Sequence, residues 1–427
     1  MTHVLSRGHG KTILIFGCGL LSTYLLTEYL MFYIQKGKAE FLNPGGSAKD
    51  RIVLEIIEDA EKNGLLFPNS DCCIFEGTSG STGLSLCMVA HARGYKSYIV
   101  MPNDVSEEKK SIIRKMGGTL EIVKPCSIVD PGNYARVAEK RAKEYNLLHY
   151  NKIKSNTTSE CSSQFLEDKL NLKNIDYSQS IETCHDSNLK DPEMKSLGFF
   201  MDQFENINNF KTHYKHTGPE ILEQTGGDLD AIVHGSGTGG TIAGLTYYLK
   251  PKIPNLKVFL ADPPGSGLAN KINHNILFSE TEKEGTRRRH QTDTIVEGVG
   301  LNRLTFNFKL ITHTPDIEFI RSLGVEISSE QDLKKLKLDG AYTISDQNSI
   351  WMSRWLMKND GLFIGSTSAM NCVAAVKIAQ QLGPGCKILT ILCDSGQRHL
   401  TKFWNDEHLK QMGFNVDCPH SMDSFLN

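Results

Sequence analysis

From Lys38 onward, short apolar runs alternate with segments whose apolar positions recur every three or four residues. The first pattern marks buried strands, and the second marks helices with one inward face. "KAEFL" (38–42), "CCIFE" (72–76), "KSYIVM" (96–101) and "LEIVK" (120–124) are expected strands. Between the first two, Ile52, Val53, Ile56, Ile57 and Ala60 define the buried face of a helix that begins near Lys49, with Ser47 as its expected N-cap. "STGLSLCMVAHARG" and "SEEKKSIIRKMGG" are helices closed by glycine, and "YARVAEKRAKEY" is a further one. The alternation resumes at "GFFMDQF" and continues through "DAIVHG", "GGTIAGLTYYLK", "KVFLAD", "LFIGSTSAMNCVAAVKIAQQLG" and "KILTILCDSGQRH". Strands joined through helices predict the α/β class with a mostly parallel sheet.

Two segments break the alternation. Residues 151–196 are rich in Asn, Ser, Thr, Lys and Asp, carry few aliphatics, and are expected to be a disordered insert. At the other extreme, 12–34 is apolar for 23 residues apart from Glu28, with Arg7 and Lys11 before it and Lys36 and Lys38 after. That length suits a membrane span or signal anchor, so 1–35 is read as a hydrophobic segment able to anchor the chain; a buried helix of the globular fold is the alternative. The remainder divides into a smaller α/β domain at 36–150 and a larger one at 197–427.

Composition narrows the function. With 47 Lys and Arg against 49 Asp and Glu, the chain has no charge excess to attract nucleic acid or an anionic surface. Its eleven cysteines show no paired spacing for zinc, and no metal site is expected. Cys72, Cys73, Cys87, Cys372 and Cys393 sit in apolar runs and read as core residues of a protein in a reducing compartment.

Four stretches carry chemistry. Lys49 follows Pro44, Gly45 and Gly46 and opens a helix, where a cation is poorly placed against the helix dipole. It is either a surface charge or an amine kept for reaction. "HGSGTGGT" (234–241) lies between a strand and a helix, so its amides can converge on a phosphate. Gly235, Gly237, Gly240 and Asp262 match a dinucleotide fingerprint, while Gly237, Thr238, Gly239, Gly240 and Thr241 fit a bare phosphate cup equally well. "EGTSGSTG" (76–83) clusters the hydroxyls of Thr78, Ser79, Ser81 and Thr82 around Gly80, a donor-rich loop suited to a carboxylate. "GSTSAMN" (365–371) puts Thr367 and Ser368 at a third such junction. An amine, a phosphate cup and a carboxylate loop together suit a phosphorylated aldehyde cofactor acting on an amino acid.

Taken in order, "NPGGSAKDR", "EGTSGSTG", "GSGTGGTIAG", "VEGVGLNRLT" and "GLFIGSTSAMNCVAA" resemble the pyridoxal-phosphate enzymes of fold type II, from Lys38 to about His399. The resemblance is most marked with the cysteine synthase (O-acetylserine sulfhydrylase) and cystathionine β-synthase family, and within it with the membrane-anchored cysteine synthase-like proteins of fungal mitochondria. It implies two α/β domains with pyridoxal 5'-phosphate between them, a homodimer, and a mitochondrial location at the outer membrane with the catalytic part facing the cytosol, the alternative being a cytoplasmic one. It makes Lys49 the Schiff-base lysine and 237–241 the phosphate loop. Thr78, Ser79, Gly80, Thr82 and Gln203 then hold the substrate carboxylate, and Thr367, or Ser368 one position on, faces the pyridine nitrogen. Ser81 stands where much of the family has Asn beside the cofactor's ring oxygen.

The implied reaction is β-replacement. The amine released from the cofactor takes the Cα proton, the β-substituent of O-acetylserine leaves, and sulfide adds to give cysteine. Related expectations are serine with homocysteine as substrates, or deamination of serine or threonine. The chain departs from the family in lacking an "IGNTPL"-like segment before the lysine loop, which keeps a non-catalytic fold relative in view. A nicotinamide enzyme built on Gly235, Gly237, Gly240 and Asp262 would leave Lys49 and the Thr78 loop without roles.

Overall fold

A computed structural model describes residues 2–7, 11–16, 22–24, 34–156, 197–279, 294–419 and 426. Near the N-terminus, β1 (Thr2–Arg7), β2 (Lys11–Phe16) and β3 (Ser22–Tyr24) form a small antiparallel sheet. Two of these strands fall within the expected membrane span at 12–34. Among the described residues no helix is long and apolar enough to cross a membrane. A run of apolar residues suits a strand as well as a helix, and here strand pairing prevails over length.

Two parallel sheets make up the rest. The larger has β4 (Ile34–Ala39), β9 (Ala231–Gly235), β10 (Lys257–Asp262), β11 (Gly340–Thr343) and β12 (Lys387–Leu392) in the order β11-β10-β9-β12-β4. The smaller has β5 (Cys73–Gly77), β6 (Lys96–Pro102), β7 (Thr119–Val123) and β8 (Gly198–Phe200) in the order β7-β6-β5-β8. All neighbouring pairs within both sheets are parallel, as the alternation of strands and helices predicts. The sheets exchange strands across the expected domain division. β4 precedes the small sheet in the chain but pairs with β12, and β8 follows residue 196 but pairs with β5. The expected strand "KAEFL" is also shifted. Its first two residues end β4, and Glu40–Leu42 turn as a 3-10 helix.

The helices that position the site are α1 (Lys49–Lys62), α2 (Ser81–Arg93), α3 (Glu107–Lys115), α4 (Tyr134–Asn156), α5 (Asn208–Thr212), α6 (Gly218–Thr225), α7 (Gly240–Leu249), α8 (Asp346–Asp360) and α9 (Ser366–Leu382). Helix α4 runs through 151–156, six residues into the expected insert; 157–196 lie outside the described residues. On α1 all five predicted apolar positions are buried, and they pack with Leu84, Leu86 and Ile74 beneath the small sheet. Helix α9 buries thirteen residues against β9 and β12 in the core of the large sheet. Charged side chains tie the two parts together. Arg51 on α1 bonds Glu40 at 2.8 Å and Glu220 on α6 at 2.7 Å, and Lys38 joins Glu220 at 2.7 Å. Such a network fixes α1 across the sheet boundary because each buried charge has a partner.

Candidate active site

The turn before α1 is held from within the helix. Asp50 accepts the Gly45 N–H at 2.5 Å and the Ser85 hydroxyl at 2.5 Å. Ser47 is not the N-cap: Ala48 occupies that position, and the Ser47 hydroxyl accepts the Lys49 N–H at 3.3 Å. The tight Asn43–Gly46 turn has already closed at that point, with the Gly46 N–H on the Asn43 carbonyl at 2.7 Å. Lys49 is thereby carried to the floor of a cavity between the two sheets. Its amine has no hydrogen bond or ion pair among the described residues. Burial lowers its pKa, opposed by Cys393 and Asp394. The protein thus disfavours the ammonium form, which is what a nucleophilic or basic lysine requires.

One wall is the junction of β9 and α7. The N–H groups of Gly239, Gly240, Thr241 and Ile242 meet no acceptor among the described residues. Gly239 has φ +87°, and a side chain there would meet the Phe308 backbone nitrogen at 2.8 Å. A Cβ on Gly240 would come within 2.0 Å of Asn209 Oδ1, and one on Gly237 within 2.2 Å of the Gly298 carbonyl. Glycine is required wherever backbone approaches this closely. The Thr238 hydroxyl accepts from Asn209 at 2.7 Å, and Thr241 bonds His213 Nε2 at 3.0 Å. Burial, with Lys49 adding to it, pushes His234 down to about 3, and burial and nearby Arg51 hold His213 well below its usual range. Burial thus disfavours the charged form of both imidazoles, and the amides supply the positive end of the cup.

Asp262, the acidic residue of the dinucleotide fingerprint, is fully buried and accepts the Ala269 N–H at 2.7 Å at the start of the Leu268–His274 helix. It has no surface from which to bind a ribose. The phosphate-cup reading of 237–241 is the one this geometry fits.

The opposite wall is the junction of β5 and α2. The N–H groups of Ser81, Thr82 and Gly83 are without acceptors among the described residues, and Gly80 sits at φ +144°. Thr78, Ser79, Ser81, Thr82 and Gln203 all line the cavity. Their hydroxyls are not equivalent. Thr82 donates to Gln203 Oε1 at 2.6 Å. Gln203 turns both N–H bonds away, to Glu76 Oε1 at 3.0 Å and the Gly77 carbonyl at 3.2 Å. The protons of Thr78, Ser79 and Ser81 have no acceptor among the described residues. Glu76, buried beneath this wall, has its pKa raised well above the usual range by burial and by Asp202.

At the third junction Thr367 faces the cavity and Ser368 does not. Thr367 donates to the Glu297 carbonyl at 2.8 Å, whereas Ser368 is buried and reaches the Asp394 carbonyl at 3.3 Å. Beside it lies a belt of charge absent from the residues first selected. Lys109 on α3 bonds the Glu297 carboxylate, His399 Nδ1 is 3.6 Å from it, and His399 Nε2 is 2.9 Å from Asp394 Oδ2. Burial works against the charge on Glu297, but Lys109, His399 and Lys402 hold its carboxyl below the usual range. Glu297 stands in "VEGVG" and Asp394 just after the last buried strand; the partners of Glu297 are distant in sequence, whereas Asp394 meets His399 five residues on. Cys393, expected as a core residue, is half-buried and lines the cavity next to Asp394.

The residues present fit a pyridoxal-phosphate cofactor: an amine and a glycine cup of amides, all unpaired among the described residues, share one cavity with a hydroxyl at the third junction. Comparison with known proteins agrees. The model of the family "Pyridoxal-phosphate dependent enzyme" matches residues 37–165 and 174–394. A Schizosaccharomyces pombe protein named cysteine synthase 2 is 42% identical over 90% of this chain and 81% of its own. An Emericella nidulans protein of the same name is 44% identical over 86% and 73%. Among solved structures, an O-acetylserine dependent cystathionine β-synthase from Helicobacter pylori matches with a TM-score of 0.59 and 27% identity, covering 87% of this chain and 90% of that one. An O-ureido-L-serine synthase matches with a TM-score of 0.60 and 25% identity, covering 92% of each. The chain belongs to the pyridoxal-phosphate dependent enzymes of the cysteine synthase and cystathionine β-synthase type, with the α/β architecture of fold type II.

Proposed function

We propose that this protein catalyses β-replacement on an activated serine, forming L-cysteine from O-acetyl-L-serine and sulfide. The observation that carries the reading is the Lys49 amine, disfavoured as a cation and unpaired among the described residues, in one cavity with two helix N-termini whose amides meet no acceptor among those residues. When bound, pyridoxal 5'-phosphate supplies an aldehyde for the amino group and a conjugated ring that draws electrons from Cα. In this proposal Gly237, Thr238, Gly239, Gly240 and Thr241 hold the phosphate. Thr78, Ser79 and the amides of Ser81 to Gly83 orient the substrate carboxylate, with Gly80 allowing the turn. Lys49 takes the proton from Cα and returns it, a role helped by the burial that disfavours its charged form. Thr367 faces the cofactor ring rather than Ser368, since only Thr367 lines the cavity. Gln203 serves the carboxylate through Thr82, because its own donors are used elsewhere.

The cysteine synthase names of relatives 42–44% identical support this choice of substrates. Purified protein loaded with cofactor and given O-acetylserine and sulfide should form cysteine, measured by a thiol-specific amino-acid assay. No cysteine from cofactor-loaded protein would remove the proposal. Homocysteine is a second acceptor to assay, favoured by the likeness to the Helicobacter pylori enzyme; cystathionine as the sole product would replace the first reading. We further propose a homodimer and a mitochondrial location. The latter is supported by a Saccharomyces cerevisiae relative, 41% identical, that is provisionally named a mitochondrial cysteine synthase. An outer-membrane anchor at 12–34 is not included, given the strands within that segment.

A further inference from the structure

A hydroxyl donates one proton and accepts two, so the group it accepts from limits where its proton can point. Ser81 Oγ accepts from Arg398 Nη1 at 3.2 Å, and its own proton has no acceptor among the described residues. The guanidinium repels that proton, and Ser81 lines the cavity, so the proton is left facing the cavity.

Arg398 is itself an unusual cation. It is 8% exposed, yet no carboxylate pairs with it among the described residues. Asp394 and Asp50 act on it only through space. Both are bound elsewhere, Asp50 to the Gly45 N–H and the Ser85 hydroxyl, and Asp394 to His399. The guanidinium also lies against the glycine turn before Lys49, where a Cβ on Gly46 would come within 3.0 Å of Nη2. A buried cation whose neighbouring carboxylates are otherwise engaged costs stability, and an anion brought close to it removes part of that cost. Three anionic groups meet in this cavity when cofactor and substrate are bound. The glycine cup suits the phosphate, and the amides of Ser81 to Gly83 suit the carboxylate. The resemblance to the family, much of which has Asn at this position beside the cofactor's ring oxygen, implies that the third group meets the Ser81 side chain.

We propose that Arg398 is a positioning residue: it fixes and polarises the Ser81 hydroxyl so that this wall receives the anionic ring oxygen of pyridoxal phosphate. The role rests on the cofactor reading, and the test separates the two. Cofactor affinity is measured by equilibrium dialysis for the parent, Ser81→Ala, Arg398→Gln and the double variant, together with the visible absorbance of bound cofactor. Each single change weakens binding about tenfold, as expected for one charge-assisted hydrogen bond, and the double variant loses little more than either alone. The visible band of the anionic ring gives way to the near-ultraviolet band in both single variants. Arg398→Lys keeps a charged donor and stays within about threefold of the parent, which also covers the case in which Arg398→Gln fails to fold. Additive losses of about a hundredfold in the double variant, or unchanged affinity and spectrum in either single variant, would overturn the role of Arg398 alone. A parent protein that takes up no cofactor would remove both readings.

Discussion

The two strand-to-helix junctions that face each other across the cavity use the same backbone device and differ in everything around it. At β9–α7 the amides are bared by glycines packed against backbone and amide groups, and burial disfavours the charged form of the nearby histidines. At β5–α2 the amides are surrounded by hydroxyls, backed by Glu76 and Gln203 on one side and Arg398 on the other. The first junction has little freedom, because any side chain collides. The second can redistribute protons without moving backbone. A fixed cup suits a phosphate that stays bound through every turnover; an adjustable one suits a carboxylate that enters and leaves.

The largest expected effect lies between the two cups. Lys49→Ala should lower turnover by about 10³-fold or more while leaving thermal stability at least equal, since it removes a buried amine that has no partner among the described residues; turnover with thermal unfolding checks both. Gly239→Ala should reduce cofactor affinity by about a hundredfold, because φ is +87° and the added methyl meets the Phe308 backbone; dialysis measures it. An unchanged affinity would mean that the glycine cup is not the rigid partner in the comparison.

Asp262, at the end of the strand that neighbours β9, gives a smaller effect, read in stability rather than binding. Burial raises its carboxyl to about 7, above the unfolded value, so the folded protein binds more protons in between. Its stabilising contribution is therefore complete at low pH and is lost as pH rises from about 4 to 7, on the order of 2–4 kcal/mol. Asp262→Asn should flatten that slope in urea midpoints and be the more stable protein at pH 8. A smaller effect is expected at the hydroxyl cup. Thr82→Val breaks the 2.6 Å bond to Gln203 and should raise the KM for the amino acid about tenfold, with cofactor affinity unchanged. Equal losses of both would show that the two junctions are not independent.

Local pattern carried most of the elements. The five apolar positions of α1, the glycine stop of α2 at Gly94 and the strand before each loop are where their spacing puts them. Lys49 and the loops at 78–82 and 237–241 were legible because strand, turn and helix are contiguous there. What could not be read is set by distance along the chain. Ser81 and Arg398 are 317 residues apart, and Gln203 and Glu76 are 127 apart; no periodicity relates them. The same holds for β4, whose hydrophobicity gives no sign that its partner is β12. Cys393 illustrates a different failure, since an apolar neighbourhood in sequence placed it in the core although the strand ends just before it.

The pairing of Ile34 with Lys387 also sets a timetable for synthesis. Roughly 350 residues must leave the ribosome before the N-terminal strand of the large sheet can find its neighbour, which at ordinary elongation rates takes roughly 20 to 70 s. Throughout that interval Ile34–Ala39 has no sheet to join, while the small sheet needs only the strand at Gly198–Phe200 to be complete. The nascent chain should therefore acquire protease resistance in two stages, the turn before Lys49 gaining its bond from the Ala48 N–H to the Cys393 carbonyl only in the second.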